Sequence, residues 1–192
     1  MPLDKDVLTT GEVAKICNVA PRTVSKWFDS GQLKGYKIPG SKDRRIPKGQ
    51  LIKFMQVHGI PLDGITSGNT RVLIVDDEQE VTEALHKVLG EQAKYDVKVA
   101  SSTFAAGLEC ERFKPHVILL DLHLNEGNCN DLVALVHTED DLAITKIIAM
   151  SGKMSDTQLA ALKSQGFDQV LRKPFQIRQV IQSIELCMSM VY

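Results

Sequence analysis

Four short apolar runs in the second part of the chain each stop on a polar residue. Arg71-Val72-Leu73-Ile74-Val75 runs into Asp76-Asp77-Glu78, and His116-Val117-Ile118-Leu119-Leu120 runs into Asp121. Lys146-Ile147-Ile148-Ala149-Met150 ends in Ser151, and Gln169-Val170-Leu171-Arg172 ends in Lys173-Pro174. Near-continuous apolar runs of this length, rather than alternating ones, predict parallel strands buried on both faces. The stretches between them carry helical periodicity, as in Gln79–Glu91, where Val81, Leu85, Val88 and Leu89 share one side. Val97–Ala100 reads as one more strand, and Ser101-Ser102-Thr103 caps a helix over Phe104–Phe113. Asp131–His137 is helical. Ser155-Asp156-Thr157-Gln158 opens another helix as a capping box, and Phe175 to about Met190 forms the last. Strand and helix therefore alternate, and right-handed crossovers give a parallel sheet covered on both faces. Asp76, Asp77, Asp121, Ser151 and Lys173 all fall at the carboxyl ends of strands, where such sheets place their functional crevice.

Five βα units in about 120 residues predict a flavodoxin-like sheet of order 2-1-3-4-5. The first part of the chain has a different rhythm. Thr9-Thr10-Gly11-Glu12 holds the ingredients of a capping box for a helix through Cys17, and Pro21 stands at the first position of a second helix ending near Gly31. Val13, Ile16, Val19, Val24, Trp27 and Phe28 supply the expected shared core, leaving Arg22, Thr23, Ser25 and Lys26 pointing outward. Helix, tight turn and polar second helix predict a helix-turn-helix. Gln32–Ile38 and Arg44–Pro47 then read as a β-hairpin around Pro39–Asp43, and Lys48 to about His58 as a closing helix with Leu51, Ile52, Phe54, Met55 and Val57 inward.

Charge separates the two parts. Residues 1–70 carry 11 Lys/Arg against 6 Asp/Glu, and residues 71–192 carry 12 against 18, although the whole chain nets −1. Two modules with different partners, one of them polyanionic, fit this asymmetry. Gly59–Thr70, with Gly, Pro, Ser and Asn and no periodicity, reads as a linker. Ile60, Leu62 and Ile65 leave open whether it is a loose tether or docks on a module. Cys17, Cys110, Cys129 and Cys187 form no C-x-x-C pair and have no histidine at ligand spacing, so they read as reduced thiols, and zinc is not expected. No apolar run approaches membrane-spanning length and no signal-peptide pattern opens the chain, so the expected location is the cytoplasm, without a membrane partner.

Leu8–Ala14, Pro21–Trp27, Gly31-Gln32-Leu33 and Arg44-Arg45-Ile46-Pro47 resemble the excisionase/MerR-type winged helix-turn-helix family over roughly residues 7–58. That resemblance implies double-stranded DNA as the partner. The second helix would offer Arg22, Thr23, Ser25 and Lys26 to base edges, and the hairpin wing would offer Lys37, Lys42, Arg44 and Arg45 to the backbone. The cations would displace counterions from phosphates, while shorter polar groups reach bases. One helix and a wing bury little DNA, so a dimer or side-by-side copies are expected. A small helical module that binds protein through a solvated basic face is the competing reading.

Asp76-Asp77, Asp121, Ser151 and Lys173-Pro174, at their mutual separations, resemble the receiver domain of two-component response regulators across residues 71–190. The resemblance implies that Asp121 accepts a phosphoryl group from a sensor histidine kinase or phosphotransfer protein. It further implies Mg2+ held by Asp76, Asp77, Asp121 and the His123 backbone carbonyl, with Ser151 on a phosphoryl oxygen and Lys173 neutralising charge. Converging carboxylates repel one another, and a hard cation relieves that cost. Three departures stand out. Asn125 and Cys129 occupy positions where the family usually has Pro and Gly, and Val170 stands where an aromatic ring commonly moves with the hydroxyl residue. His123 and Lys153 fall where the family tunes phosphate lifetime.

The expected architecture is a small, mainly α winged helix-turn-helix (1–59), a linker (60–70) and an α/β flavodoxin-like receiver with a five-stranded parallel sheet (71–192). The expected function is a DNA-binding response regulator, not an enzyme beyond Mg2+-dependent phosphorylation and dephosphorylation of its own aspartate, in which phosphorylation modulates dimerisation and transcription. The alternative is a scaffold or architectural DNA-binding protein whose receiver docks a partner regardless of phosphate.

Overall fold

In the computed structural model, residues 5–60, 69–152 and 154–189 are described, without the side chains of 156, 159, 160 and 189. Leu62, Ile65, Lys153 and Met190, all singled out from the sequence, lie outside these residues. The chain divides into two compact units between Gly68 and Asn69.

The first unit begins with β1 (Val7–Thr9), which runs into α1 (Thr10–Ile16). Thr9 caps the helix, and the capping box is complete. Its hydroxyl accepts the Glu12 N–H (3.2 Å), and the Glu12 carboxylate accepts the Thr9 N–H (2.8 Å). Asn18, at φ 51°, turns the chain into α2 (Pro21–Asp29), which has proline in its first turn as expected. The hairpin is β2 (Tyr36–Lys37) and β3 (Arg44–Pro47), followed by α3 (Lys48–Val57). A feature not anticipated from the sequence is that β1 pairs antiparallel with β3, Leu8 opposite Ile46, making a three-stranded sheet of order β1-β3-β2. Leu8 and Ile46 are buried, as are Val13, Val24, Leu33, Leu51 and Met55. Val57, expected on the inner side of the closing helix, is 80% exposed because the helix ends there. Trp27 instead packs on Phe54, with ring centroids 4.8 Å apart.

The second unit alternates β4 (Arg71–Val75), α4 (Gln79–Glu91), β5 (Asp96–Ala100), α5 (Thr103–Phe113), β6 (Val117–Asp121) and α6 (Cys129–Thr138). It continues with β7 (Lys146–Ser151), α7 (Asp156–Ser164), β8 (Gln169–Arg172) and α8 (Ile177–Ser189). The strands are all parallel, in the order β5-β4-β6-β7-β8, which is 2-1-3-4-5 within this unit.

Period-two geometry sends alternate residues of each strand to opposite faces. Leu73, Val75, Ile118, Leu120, Ile147 and Ala149 pack with α5, α6 and α7, while Val72, Ile74, Val117, Leu119, Ile148 and Met150 pack with α4 and α8. Near-continuous apolar strands follow directly from having helices on both sides. The four cysteines are free, three of them buried. Burial pushes the Cys110 thiol up to about 12 and the Cys187 thiol up to about 11.

The capping box predicts a local stability effect. Trp27 is the protein's single tryptophan, so its fluorescence reports on the first unit. Thr9→Ala lowers that unit's stability by about 1 kcal/mol in urea unfolding. The Thr9 N–H, with Lys5 and the Thr9 hydroxyl, holds the Glu12 carboxyl down at about 2, against an ordinary 4.5. Its contribution is therefore present above pH 4.5 and fades as pH falls towards 2. Glu12→Gln removes this acid dependence.

Candidate functional site

Sheet order puts the carboxyl ends of β4, β6, β7 and β8 side by side, and the polar residues singled out from the sequence meet there. Asp76 and Asp77 follow β4, Asp121 and Ser151 close β6 and β7, and Lys173 follows β8. Ligand-capable carboxylate atoms of Asp76, Asp77 and Asp121 all lie within 4.8 Å of one another. Backbone bonds fix the strand ends. Asp76 N–H donates to Ala100 O (3.1 Å), Leu122 N–H to Met150 O (3.1 Å) and Lys173 N–H to Ser151 O (2.8 Å). The Lys173–Pro174 peptide is cis.

Lys173 crosses the carboxylate cluster. Its Nζ stands 2.7 Å from Asp76 Oδ2, 3.3 Å from Asp121 Oδ2 and 3.4 Å from Glu78 Oε1. Burial opposes its charge, but Asp76 and Asp121 more than offset this and hold the ammonium above the usual lysine value. Asp76 shows the reverse balance. Burial raises its carboxyl above the ordinary value of 3.8, against the pull of Lys173 and of the Glu78 N–H, which donates to Oδ1 at 3.0 Å; nearby Asp121 adds to the rise.

Two buried side-chain atoms have no hydrogen-bond partner among the described residues, Asp121 Oδ1 and Ser151 Oγ. Both belong to this strand-end cluster. The exposed His123 ring stands with Nδ1 3.8 Å from Asp121 Oδ1, beyond hydrogen-bonding distance.

Three neighbours were not singled out as site residues. Asn125 donates both its backbone N–H (3.2 Å) and its side-chain amide to Asp77 Oδ2. Glu78 contributes to both Lys173 and Asp76. The Cys129 thiol donates to Asp121 O (3.3 Å), and burial followed by the nearby Asp121 charge raises its titration, keeping it a thiol. Asn125 and Cys129 were visible in the sequence only as departures from a pattern; nothing local names their partners.

In the first unit, Arg22 and Lys26 are exposed on α2, with Thr23 and Ser25 half-buried beside them. Lys37 and Lys42 are exposed on the hairpin, but three of its four cations are engaged. Arg44 clasps Asp29 through Nε (3.1 Å) and Nη2 (2.6 Å), with its guanidinium 5.8 Å from the Phe28 ring centre. Lys37 lies 3.7 Å from the same carboxylate, and Arg45 3.7 Å from Asp43. Asp29, the last residue of α2, thus ties helix to wing, and Arg44 holds its carboxyl below the usual value.

The sequence pattern of the response regulator receiver domain matches residues 72–185, and that of a helix-turn-helix domain matches residues 7–57. The chain belongs to the response regulator receiver family, and it carries a helix-turn-helix ahead of the receiver. The pairing supports a DNA-binding response regulator rather than a classical enzyme. One similar solved structure is a response regulator receiver domain from Bermanella marisrubri, 26% identical, covering 63% of this chain and 99% of that one, with a TM-score of 0.56. Another is the signal receiver domain of a DNA binding response regulator protein (merR) from Colwellia psychrerythraea 34H. It is 22% identical with a TM-score of 0.57, covering 63% of this chain and 99% of that one. An uncharacterized 76.5 kDa protein in the phbC 3' region of Thiocystis violacea is 28% identical over 117 residues. That match takes in 54% of this chain and spans only 17% of the relative. Among the described residues, no helix is long and apolar enough to cross a membrane.

Ionising Asp76 costs the folded state, because its carboxyl titrates above the unfolded value. That cost vanishes below the unfolded value and is complete above the folded one, so metal-free protein gains stability from this group as pH falls through the window. Asp76→Asn raises metal-free stability at pH 7 in urea unfolding. Lys173 keeps Asp121 and Glu78 as partners in that variant. A lowered midpoint contradicts the account.

Proposed function

We propose that the protein is a phosphorylation-controlled transcription regulator with a DNA-binding unit over residues 1–59, a connection over 60–70 and a receiver over 71–192. The observation that carries this reading is the pair of buried, unpartnered oxygens, Asp121 Oδ1 and Ser151 Oγ, beside an ammonium. One is a nucleophile and the other a rotatable donor, which suits an incoming phosphoryl group. Asp76, Asp77 and Asp121, with the His123 backbone carbonyl, would hold Mg2+. The fit rests on oxygen ligands alone, three converging carboxylates and a single strongly engaged cation among them. When bound, the ion screens the anionic donor and the charge that develops on the phosphoryl oxygens.

The chain's own residues do the rest. An Asp121 carboxylate oxygen attacks the phosphorus of a phosphohistidine donor. The P–N bond breaks, the imidazole leaves with the electron pair, and an acyl phosphate forms. Lys173, already 3.3 Å from Asp121 Oδ2, neutralises charge on the transferred group. The Ser151 hydroxyl rotates to donate to a phosphoryl oxygen and so gains a partner. Val170 is half-buried against the core beneath α5–α7 and has no ring to swing, so the response passes through packing around Ser151 and β8. A kinase or phosphotransfer protein supplies the group, and the cytoplasm is the setting.

At the other end, Arg22, Thr23, Ser25 and Lys26 face base edges, and Lys37, Lys42, Arg44 and Arg45 approach the backbone. The Asp29 clasp makes the wing a braced element rather than a set of independent cations. One helix and a wing are a small footprint, so binding as a homodimer or as neighbouring copies follows.

Binding to labelled genomic fragments, with and without Mg2+ and a small phosphodonor, tests the reading. A donor-dependent change in affinity that disappears in Asp121→Ala is the expected result. Sequence-preferring binding indifferent to both would favour an architectural DNA-binding protein with a docking receiver. Lys42→Ala, on the exposed hairpin, weakens binding across sequences and lowers the steepness of log K against log salt by about 1.

A further inference from the structure

The geometry points to Asn125 as a positioning residue that presets Asp77 for the cation, an inference that rests on the Mg2+ reading above. Asp77 follows β4 and Asn125 lies in the loop between β6 and α6, yet both donors of Asn125 converge on one oxygen. Its backbone N–H reaches Asp77 Oδ2 at 3.2 Å, and its side-chain amide donates to the same atom. A carboxylate oxygen has two lone-pair directions, so this pair of bonds fills Oδ2 and leaves Oδ1 for a metal. Asp76 is held differently, with one donor on each oxygen, Glu78 N–H on Oδ1 and Lys173 on Oδ2. Asp77 is only half-buried and has no lysine on it among the described contacts, so its orientation depends on the loop.

The loop is itself braced near the acceptor. Cys129 donates to Asp121 O, and Asn128 caps α6 by accepting the Asn130 N–H at 3.0 Å. Gly127, at φ 89°, sits so close to the Thr103 hydroxyl that a side chain there would collide with it. The loop that carries Asn125 is thus tied down just beyond it, at Gly127, Asn128 and Cys129. Hydrogen bonds that orient metal-ligating carboxylates typically change metal affinity by about 10–100-fold when removed.

The test is a calorimetric Mg2+ titration of the full chain, alongside thermal unfolding in metal-free buffer. Asn125→Ala removes the amide and keeps the N–H, and it raises the Mg2+ Kd about tenfold. Asn125→Pro removes both donors and raises it further. Asn125→Ser restores a short donor and recovers part of the loss, a rescue that a purely structural role for the loop would not produce. Metal-free melting of the Ala and Ser variants stays close to wild type. If wild type binds Mg2+ and Asp77→Ala does not, yet Asn125→Ala keeps the wild-type Kd or binds more tightly, the positioning role is overturned. If wild-type binding is absent, or survives unchanged in both Asp77→Ala and Asp121→Ala, the Mg2+ reading itself fails.

Discussion

Everything in the receiver unit is arranged around one electrostatic conflict: three carboxylates brought together at the end of an apolar sheet. Like charges at this distance repel, and partial burial removes the water that would screen them. Lys173 limits the conflict by touching Asp76 and Asp121 at once, 2.7 and 3.3 Å away. It can do so because β8 lies beside β7 and the Lys173 N–H is pinned to Ser151 O. The compensation is incomplete. Asp76 still titrates high, and among the described residues Asp121 Oδ1 and Ser151 Oγ remain without partners. On the proposed reading, this shortfall of positive charge and of hydrogen bonds is what a cation and a phosphoryl group make good, and it drives the response.

The same logic runs through the helix-turn-helix unit with the sign reversed. A cationic surface repels itself, and Asp29 offsets part of that by holding Arg44 and Lys37 at the end of α2. The bridge is exposed and adds little to stability. Its consequence is geometric, because a bidentate arginine fixes angle as well as distance. The hairpin and α2 thus share one anchor, reinforced by Phe28 beneath the guanidinium and by Gly35, where any side chain would strike Arg45 O and the Phe28 ring.

Much of this was legible in the sequence because it is written locally. Continuous apolar runs gave the parallel strands, the residues after them gave the strand-end cluster, and Thr9-x-x-Glu12 and Ser155-x-x-Gln158 gave two capping boxes that the structure contains. What escaped depends on partners far along the chain. β1 is three residues long and is a strand only because β3 lies beside it. Val57 continues an apolar pattern past the point where α3 can bury it. Asp29 meets Arg44 fifteen residues away and Asn125 meets Asp77 forty-eight residues away, and no spacing rule announces either pair. Periodicity reports which face a residue occupies; it is silent on which polar group will be waiting there.

The most direct measurement is the intact mass of the protein after incubation with a small phosphodonor and Mg2+, followed by mapping of the modified residue. The account predicts one added phosphoryl group on Asp121, absent when EDTA is present or when Asp121 is replaced by alanine. No incorporation under any donor condition, or incorporation that persists in Asp121→Ala, would contradict it.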